Sequence, residues 1–281
     1  MKIIKSPIAL SVSLKKIKLS GKTIGFVPTM GALHEGHLSL IRAARKDNGI
    51  VVVSIFVNPA QFGAREDLKK YPKPINKDLA LCKKEKVDYV FLPDAKEMYR
   101  DNFSTYVNVE GLSEVLCGKT RSGHFRGVAT VVTKLFNIVG PDIAYFGQKD
   151  AQQAVIIKRM AKDLNMPVKI KVMPIIREKS GLALSSRNIY LSKDEKKDAL
   201  VLFKALNLAK VLISGGAKDA ARIISRLKQL ILKSKSAKVD YVAIVDPSSL
   251  KPLNKVSKEC LIALAVRIGK TRLIDNIILR V

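Results

Sequence analysis

The chain has 281 residues, 47% of them hydrophobic, enough for one large or two modest domains with real cores. Lys and Arg number 51 against 24 Asp and Glu, a net charge of +27, with 6% aromatics and no Trp. This balance excludes a disordered or fibrous chain, and the scattered Cys82, Cys117 and Cys260 exclude a disulfide framework or a paired-cysteine zinc site.

So basic a field attracts polyanions, but the cations are spread along the chain, and the few aromatics offer little surface for base stacking. No specific nucleic-acid partner is expected, and lysines such as Lys204, Lys210, Lys218 and Lys228 mark solvated helix faces. The longest apolar runs, such as residues 51–57, are far shorter than the roughly 20 residues of a membrane span. Ser6, Pro7, Lys15 and Lys16 interrupt the N-terminus before a signal-peptide core could form, so a cytoplasmic protein without a membrane partner is expected.

In chain order, residues 23–27 read as a short strand and 34–46 as an amphipathic helix with Leu38, Ile41 and Arg45 at helical spacing. The continuous apolar run 51–57 has the pattern of a strand buried on both faces of a parallel sheet. A helix over 76–86 and a strand over 89–92 follow, and Asp94 with Glu97 predicts a capped helix start. Alternation over 104–109 predicts another strand, 127–139 a helix, 143–146 a strand, 151–164 a helix and 168–172 a strand. Such repetition with short connections implies an α/β sheet. Ser192 and Glu195 form a capping box opening a long helix to about Ser214, where Gly215-Gly216 stops it. A helix over 218–233 and three β-rich runs at 239–245, 260–266 and 272–279 complete a small α+β region. The boundary falls near Pro174, giving domains 1–174 and 175–281.

The strongest chemical signal is Pro28-Thr29-Met30-Gly31-Ala32-Leu33-His34-Glu35-Gly36-His37, which follows a strand and opens a helix. Gly31 and Gly36 let the backbone approach a ligand, and a helix N-terminus favours phosphate. His34 and His37, three apart, share one helix face and can donate to phosphate oxygens. Their spacing is one short of the HExxH zinc pattern, and no third ligand is evident.

HxGH at a first strand-to-helix turn resembles the nucleotidyltransferase superfamily. The longer string, together with 54–62 (SIFVNPAQF), 121–125 (RSGHF), 146–153 (FGQKDAQQ) and 181–188 (GLALSSRN), resembles the pantoate–β-alanine ligase family. The resemblance covers residues 23–191, with departures at Lys73-Pro74, Gln148 and Ala151. It implies a Rossmann-like parallel-sheet nucleotidyltransferase domain and a smaller α+β C-terminal lid domain. The implied reaction joins pantoate to β-alanine through a pantoyl adenylate, consuming ATP with Mg2+ and needing no protein nucleophile. His34, His37, Lys149 and Arg187 would be catalytic, with Ser185 and Ser186 adding phosphate donors. Pro28, Met30 and Gly147 would lie against ATP, with Asp150 near the ribose. Asn58, Gln61, Gln153, Arg121 and Met30 would meet pantoate, and Asp78 would lie in the magnesium region. The resemblance also implies a homodimer, and phosphate donors on both sides of the boundary predict that the 185–188 loop and the C-terminal domain close over ATP. A rival nucleotidyltransferase would share HxGH but lack the Asn58, Gln61 and Gln153 set.

Overall fold

A computed structural model describes residues 1–63 and 68–281, the side chain of Lys69 excepted. The chain divides into two compact units. The first comprises Met1–Glu114, Gly118–Gly147 and Ile156–Pro174, the second Val115–Cys117, Gln148–Val155 and Ile175–Val281.

The first unit holds six parallel strands: β1 (Lys2–Ile4), β2 (Ile24–Thr29), β3 (Ile50–Ile55), β4 (Tyr89–Phe91), β5 (Ile143–Gly147) and β6 (Lys169–Met173), in the order β1-β4-β3-β2-β5-β6. The order reverses at β2, which pairs with β3 on one side and β5 on the other. In open α/β sheets that is where ligands bind, beyond the carboxyl ends of the strands. Helices α1 (Pro7–Leu19), α2 (Glu35–Asp47), α3 (Ile75–Lys84), the single-turn α4 (Ala95–Met98) and α5 (Cys117–Thr120), α6 (His124–Val139) and α7 (Ala151–Asp163) connect these strands.

Successive strand residues face opposite ways, so Phe26 and Val27 feed different layers. Val27, Val51, Val53 and Val90 pack with Leu38, Ile41 and Ala44 of α2. On the other face Phe26 meets Phe136 of α6 edge-on, and Phe136 meets Phe146 of β5. This two-sided burial explains why β3 reads as an apolar run broken only by the buried Ser54.

The second unit contains α8 (Lys193–Ser214), α9 (Ala220–Ile231) and an antiparallel sheet of β7 (Ala237–Val245), β8 (Glu259–Ile268) and β9 (Thr271–Arg280), with β8 central. The capping box opens α8: Glu195 N–H donates to Ser192 Oγ at 3.2 Å, and Ser192 N–H to Glu195 Oε2 at 2.8 Å. Ile223, Leu227 and Ile231 place one face of α9 in this unit's core. Each such side chain contributes roughly 1.5–3 kcal/mol by leaving water.

Two local expectations differ from the fold. Residues 104–109 form no strand; Val107 N–H donates to Thr130 Oγ1 of α6 at 3.0 Å, and Arg126 of α6 stacks over Tyr106. Alternation encodes one buried side, which a segment lying along a helix satisfies as well as a strand does. Asp94 precedes only the single turn α4, and its side chain makes no cap hydrogen bond. The elements β1 and α1 were not anticipated, although Ser6 caps α1 from Ala9 N–H with Pro7 in the first turn.

Candidate active site

Beyond β2 the backbone turns sharply through Gly31 at φ +81° and Ala32 at φ +50°. Thr29 Oγ1 donates to Ser54 O of β3 at 2.8 Å and accepts Gly31 N–H at 3.1 Å. Asp78 of α3, fully buried, accepts Ala32 N–H on Oδ2 and Leu33 N–H on Oδ1, each at 2.8 Å. Burial of the charge raises its carboxyl above the usual range despite these two amide contacts. This carboxylate shapes the loop, and each of its oxygens keeps a lone pair beyond the one amide it accepts. A Cβ on Gly31 would lie 3.0 Å from both Asp78 Oδ2 and Ile55 Cγ2, so the clamp leaves little room there.

His34 caps α2. Its Nδ1 accepts Gly36 N–H at 3.2 Å, and His34 N–H donates to His37 Nδ1 at 3.3 Å. The ring centroids are 4.2 Å apart. Because each Nδ1 receives a backbone proton, the neutral form of each ring carries its own proton on Nε2. Two imidazole donors thus stand at the positive end of a helix.

Asn58 caps the 3₁₀ turn Pro59–Gln61. Its Nδ2 donates to Gln61 Oε1 and Gly127 O, both at 3.1 Å. Its Oδ1 accepts Ala60 N–H at 3.3 Å and the Tyr99 hydroxyl at 2.7 Å. The amide expected to meet pantoate is therefore occupied in building the turn. Gln61 Nε2 points at Met30 Sδ, 3.0 Å away. Arg121 Nη1 lies 2.9 Å from His124 Nε2, and His124 Nδ1 lies 2.8 Å from Gln61 O. A guanidinium only donates, so His124 accepts on Nε2 and donates from Nδ1 to the Gln61 carbonyl. Met30, Asn58, Gln61 and Arg121 thereby form one connected group. Pro28 lies in β2 opposite Ser54, and Gly147 ends β5.

In the second unit, Lys149 and Asp150 occupy the 3₁₀ turn Gln148–Asp150 before α7, with Lys149 Nζ 3.8 Å from Asp150 Oδ1. Gln153 is half-buried on α7. Its neighbour Gln152, not singled out from the sequence, is buried and clips the chain at 115–117, accepting Cys117 N–H at 3.0 Å and donating to Val115 O at 2.8 Å. Ser185 caps the 3₁₀ turn Ser186–Tyr190 by accepting Arg187 N–H at 3.3 Å. Asn188 secures that turn through Ala183 O at 3.1 Å. Lys149 and Arg187 thus belong to two separate loops of this unit. His124 and Gln152 lie in the matched segments 121–125 and 146–153, which gave their place but not their partners. Tyr99 lies in no such segment and acts on the distant side chain of Asn58.

Among the described residues, no group of three or more His, Cys, Asp or Glu is placed to hold a metal ion. Nor is any described helix long and apolar enough to cross a membrane. A family model described as pantoate-beta-alanine ligase matches residues 2–278. A pantothenate synthetase of Caldicellulosiruptor saccharolyticus is 57% identical over 268 residues, covering 95% of each chain. The crystal structure of pantothenate synthetase from Thermus thermophilus superposes with a TM-score of 0.94 at 42% identity, covering 99% of both chains. That of a pantoate-beta-alanine ligase from Francisella tularensis, complexed with beta-gamma ATP and beta-alanine, gives 0.80 at 34% identity, covering 99% of this chain and 97% of that one. The chain belongs to the pantoate-beta-alanine ligase family.

Proposed function

We propose that this protein condenses D-pantoate with β-alanine at the expense of ATP, forming pantothenate, AMP and pyrophosphate through a pantoyl adenylate. The observation that carries this reading is the β2–α2 turn, where the Nδ1 of both imidazoles accepts a backbone N–H at a helix N-terminus, leaving Nε2 of each neutral ring as the donor. The Francisella relative, complexed with beta-gamma ATP and beta-alanine, supports the choice of substrates.

In the first step a pantoate carboxylate oxygen attacks the α-phosphorus and pyrophosphate leaves. In the second the β-alanine amine attacks the acyl carbon and AMP leaves. Neither step needs a nucleophile from the protein; the demand is positioning and stabilisation of developing charge. His34 and His37 would donate to phosphate oxygens, and Lys149 and Arg187 would neutralise charge with help from Ser185 and Ser186. Pro28, Met30 and Gly147 would line the nucleotide, and Asp150 would meet the ribose. Gln61 and Gln153 would recognise pantoate. Asn58 and Arg121 would serve pantoate by holding Gln61 in place. Mg2+ would enter with ATP as part of the substrate, with Asp78 in its region. By family, a homodimer acting in the cytoplasm is proposed.

The test is pyrophosphate release from Mg-ATP and D-pantoate, first without and then with β-alanine. A small burst that becomes steady AMP and pantothenate production on adding β-alanine is expected. Active, ATP-binding protein that releases no pyrophosphate would refute the choice of acid. His34→Ala and His37→Ala should each slow pyrophosphate release by about 2–4 kcal/mol of barrier if they act as lost oxyanion donors.

A further inference from the structure

Two adjacent residues of β9, Asp275 and Asn276, are each only 3% exposed although polar. Buried polar side chains are normally satisfied, so their partners indicate what they hold in place. Asn276 Nδ2 donates to both Gln148 O and Lys149 O, each at 3.0 Å. Its Oδ1 accepts Gln148 Nε2 at 2.9 Å. Both amide protons and the amide oxygen are thus committed to two consecutive residues of the turn that carries Lys149.

Asp275 is held differently. Arg177 grips its carboxylate with Nη1 to Oδ2 at 2.6 Å and Nη2 to Oδ1 at 2.8 Å, and Nη1 also donates to Gly181 O at 3.0 Å. Gly181 sits at φ +97°, where an added Cβ would fall 2.2 Å from the Phe203 ring. Phe203 in turn receives the Arg177 guanidinium over its face at 4.9 Å. The segment so fixed runs directly into Ser185, Ser186 and Arg187.

We propose that Asn276 is a positioning residue for Lys149: its side-chain amide fixes the Gln148–Lys149 backbone so that the lysine ammonium is presented to the phosphates of ATP. The inference rests on the phosphate role given above to Lys149. Lysine is a point charge on a stem with four rotatable bonds, so the anchoring of its Cα decides how often the ammonium is in place. Two carbonyls bound by one planar amide fix that Cα in both position and orientation. Catalytic stabilisation weakens steeply when a group is displaced by about 1 Å, so loss of this anchor acts on the chemical step.

The experiment is a double-mutant cycle on the full chain, reading steady-state pyrophosphate release for Lys149→Ala, Asn276→Ala and the double variant. Asn276→Ala should lower kcat by about tenfold or more while the KM for D-pantoate moves less than about twofold, a split that general loosening would not give. The double variant should fall within about threefold of Lys149→Ala alone, since the anchor has nothing left to position. Gln148→Ala removes the bond that orients the Asn276 amide without touching β9, and should give a smaller loss of kcat with the same split. Should Asn276→Ala fail to fold, an unchanged kcat in Gln148→Ala overturns the proposal. Multiplying effects in the double variant, or wild-type kcat in Asn276→Ala, overturn it while leaving the role of Lys149 standing. Full activity in Lys149→Ala overturns both.

Discussion

Gly127→Ala sets two opposed effects against each other inside α6. Helix propensity alone favours the change, since alanine is better than glycine in a helix interior by about 1 kcal/mol. Packing opposes it. A Cβ at this position would lie 2.1 Å from Ala60 O, 2.5 Å from Ala60 C and 2.7 Å from Gln61 Cα, all backbone atoms with no rotamer to change. Restoring an ordinary contact of 3.4 Å to Ala60 O moves the turn or the helix by about 1.3 Å. Such a displacement breaks the 3.1 Å bond from Asn58 Nδ2 to Gly127 O and the 2.8 Å bond from His124 to Gln61 O. Two lost hydrogen bonds at about 1 kcal/mol each, plus overpacking of about 1–3 kcal/mol, outweigh the helix gain. The expected net destabilisation is about 2–4 kcal/mol, measured by urea denaturation. Because Gln61 moves, the KM for pantoate should rise while that for ATP changes less. A variant as stable as the wild type with an unchanged pantoate KM would refute the reasoning.

Asp78→Ala leaves Ala32 N–H and Leu33 N–H unpartnered in a buried place, which should cost about 2–4 kcal/mol of stability and slow pyrophosphate release. Thermal melts and initial rates check both effects. The Asp246 carboxyl is held at about 2 by the Ser248 hydroxyl, then by Ser249 N–H. Its folded value lies below its unfolded one, so the stability it adds is present above the unfolded value and lost as pH falls towards about 2. The stability gap between wild type and Asp246→Ala, followed by denaturant titration, should therefore close over that acid range. Burial pushes the Cys82 thiol up to about 12 and raises Cys260 too, so neither should react with a thiol reagent at neutral pH until the chain unfolds. Rapid labelling of either in native protein, read by mass spectrometry, would contradict this.

Local regularities were legible in the sequence. The β3 run, the spacing of Leu38 and Ile41, and the Ser192–Glu195 box each encode their element within a few residues. The His34–His37 turn was legible for the same reason, since both caps are made by its own side chains. What stayed hidden depends on contacts across long stretches of chain. Asp78 reaches the loop 46 residues earlier, Tyr99 reaches Asn58 across 41 residues, and Asn276 reaches Gln148 across 128. No local pattern specifies which distant group a polar side chain will satisfy. Residues 104–109 misled because alternation reports a buried side without naming what covers it.

The edges of the two sheets give the large positive charge a physical consequence. Lys2 lies on β1 and Lys169 and Lys171 on β6, the two outer strands of the parallel sheet; Lys238 lies on β7 and Arg272 and Arg280 on β9, those of the antiparallel one. An unpaired strand edge is a template on which another chain can zip, and lysine or arginine along it makes that approach repulsive. Lys171, Arg272 and Arg280 are paired with Asp47, Asp240 and Glu259, so the repulsion falls to Lys2, Lys169 and Lys238. These three act as gatekeepers on β1, β6 and β7 against the growth of one copy into another.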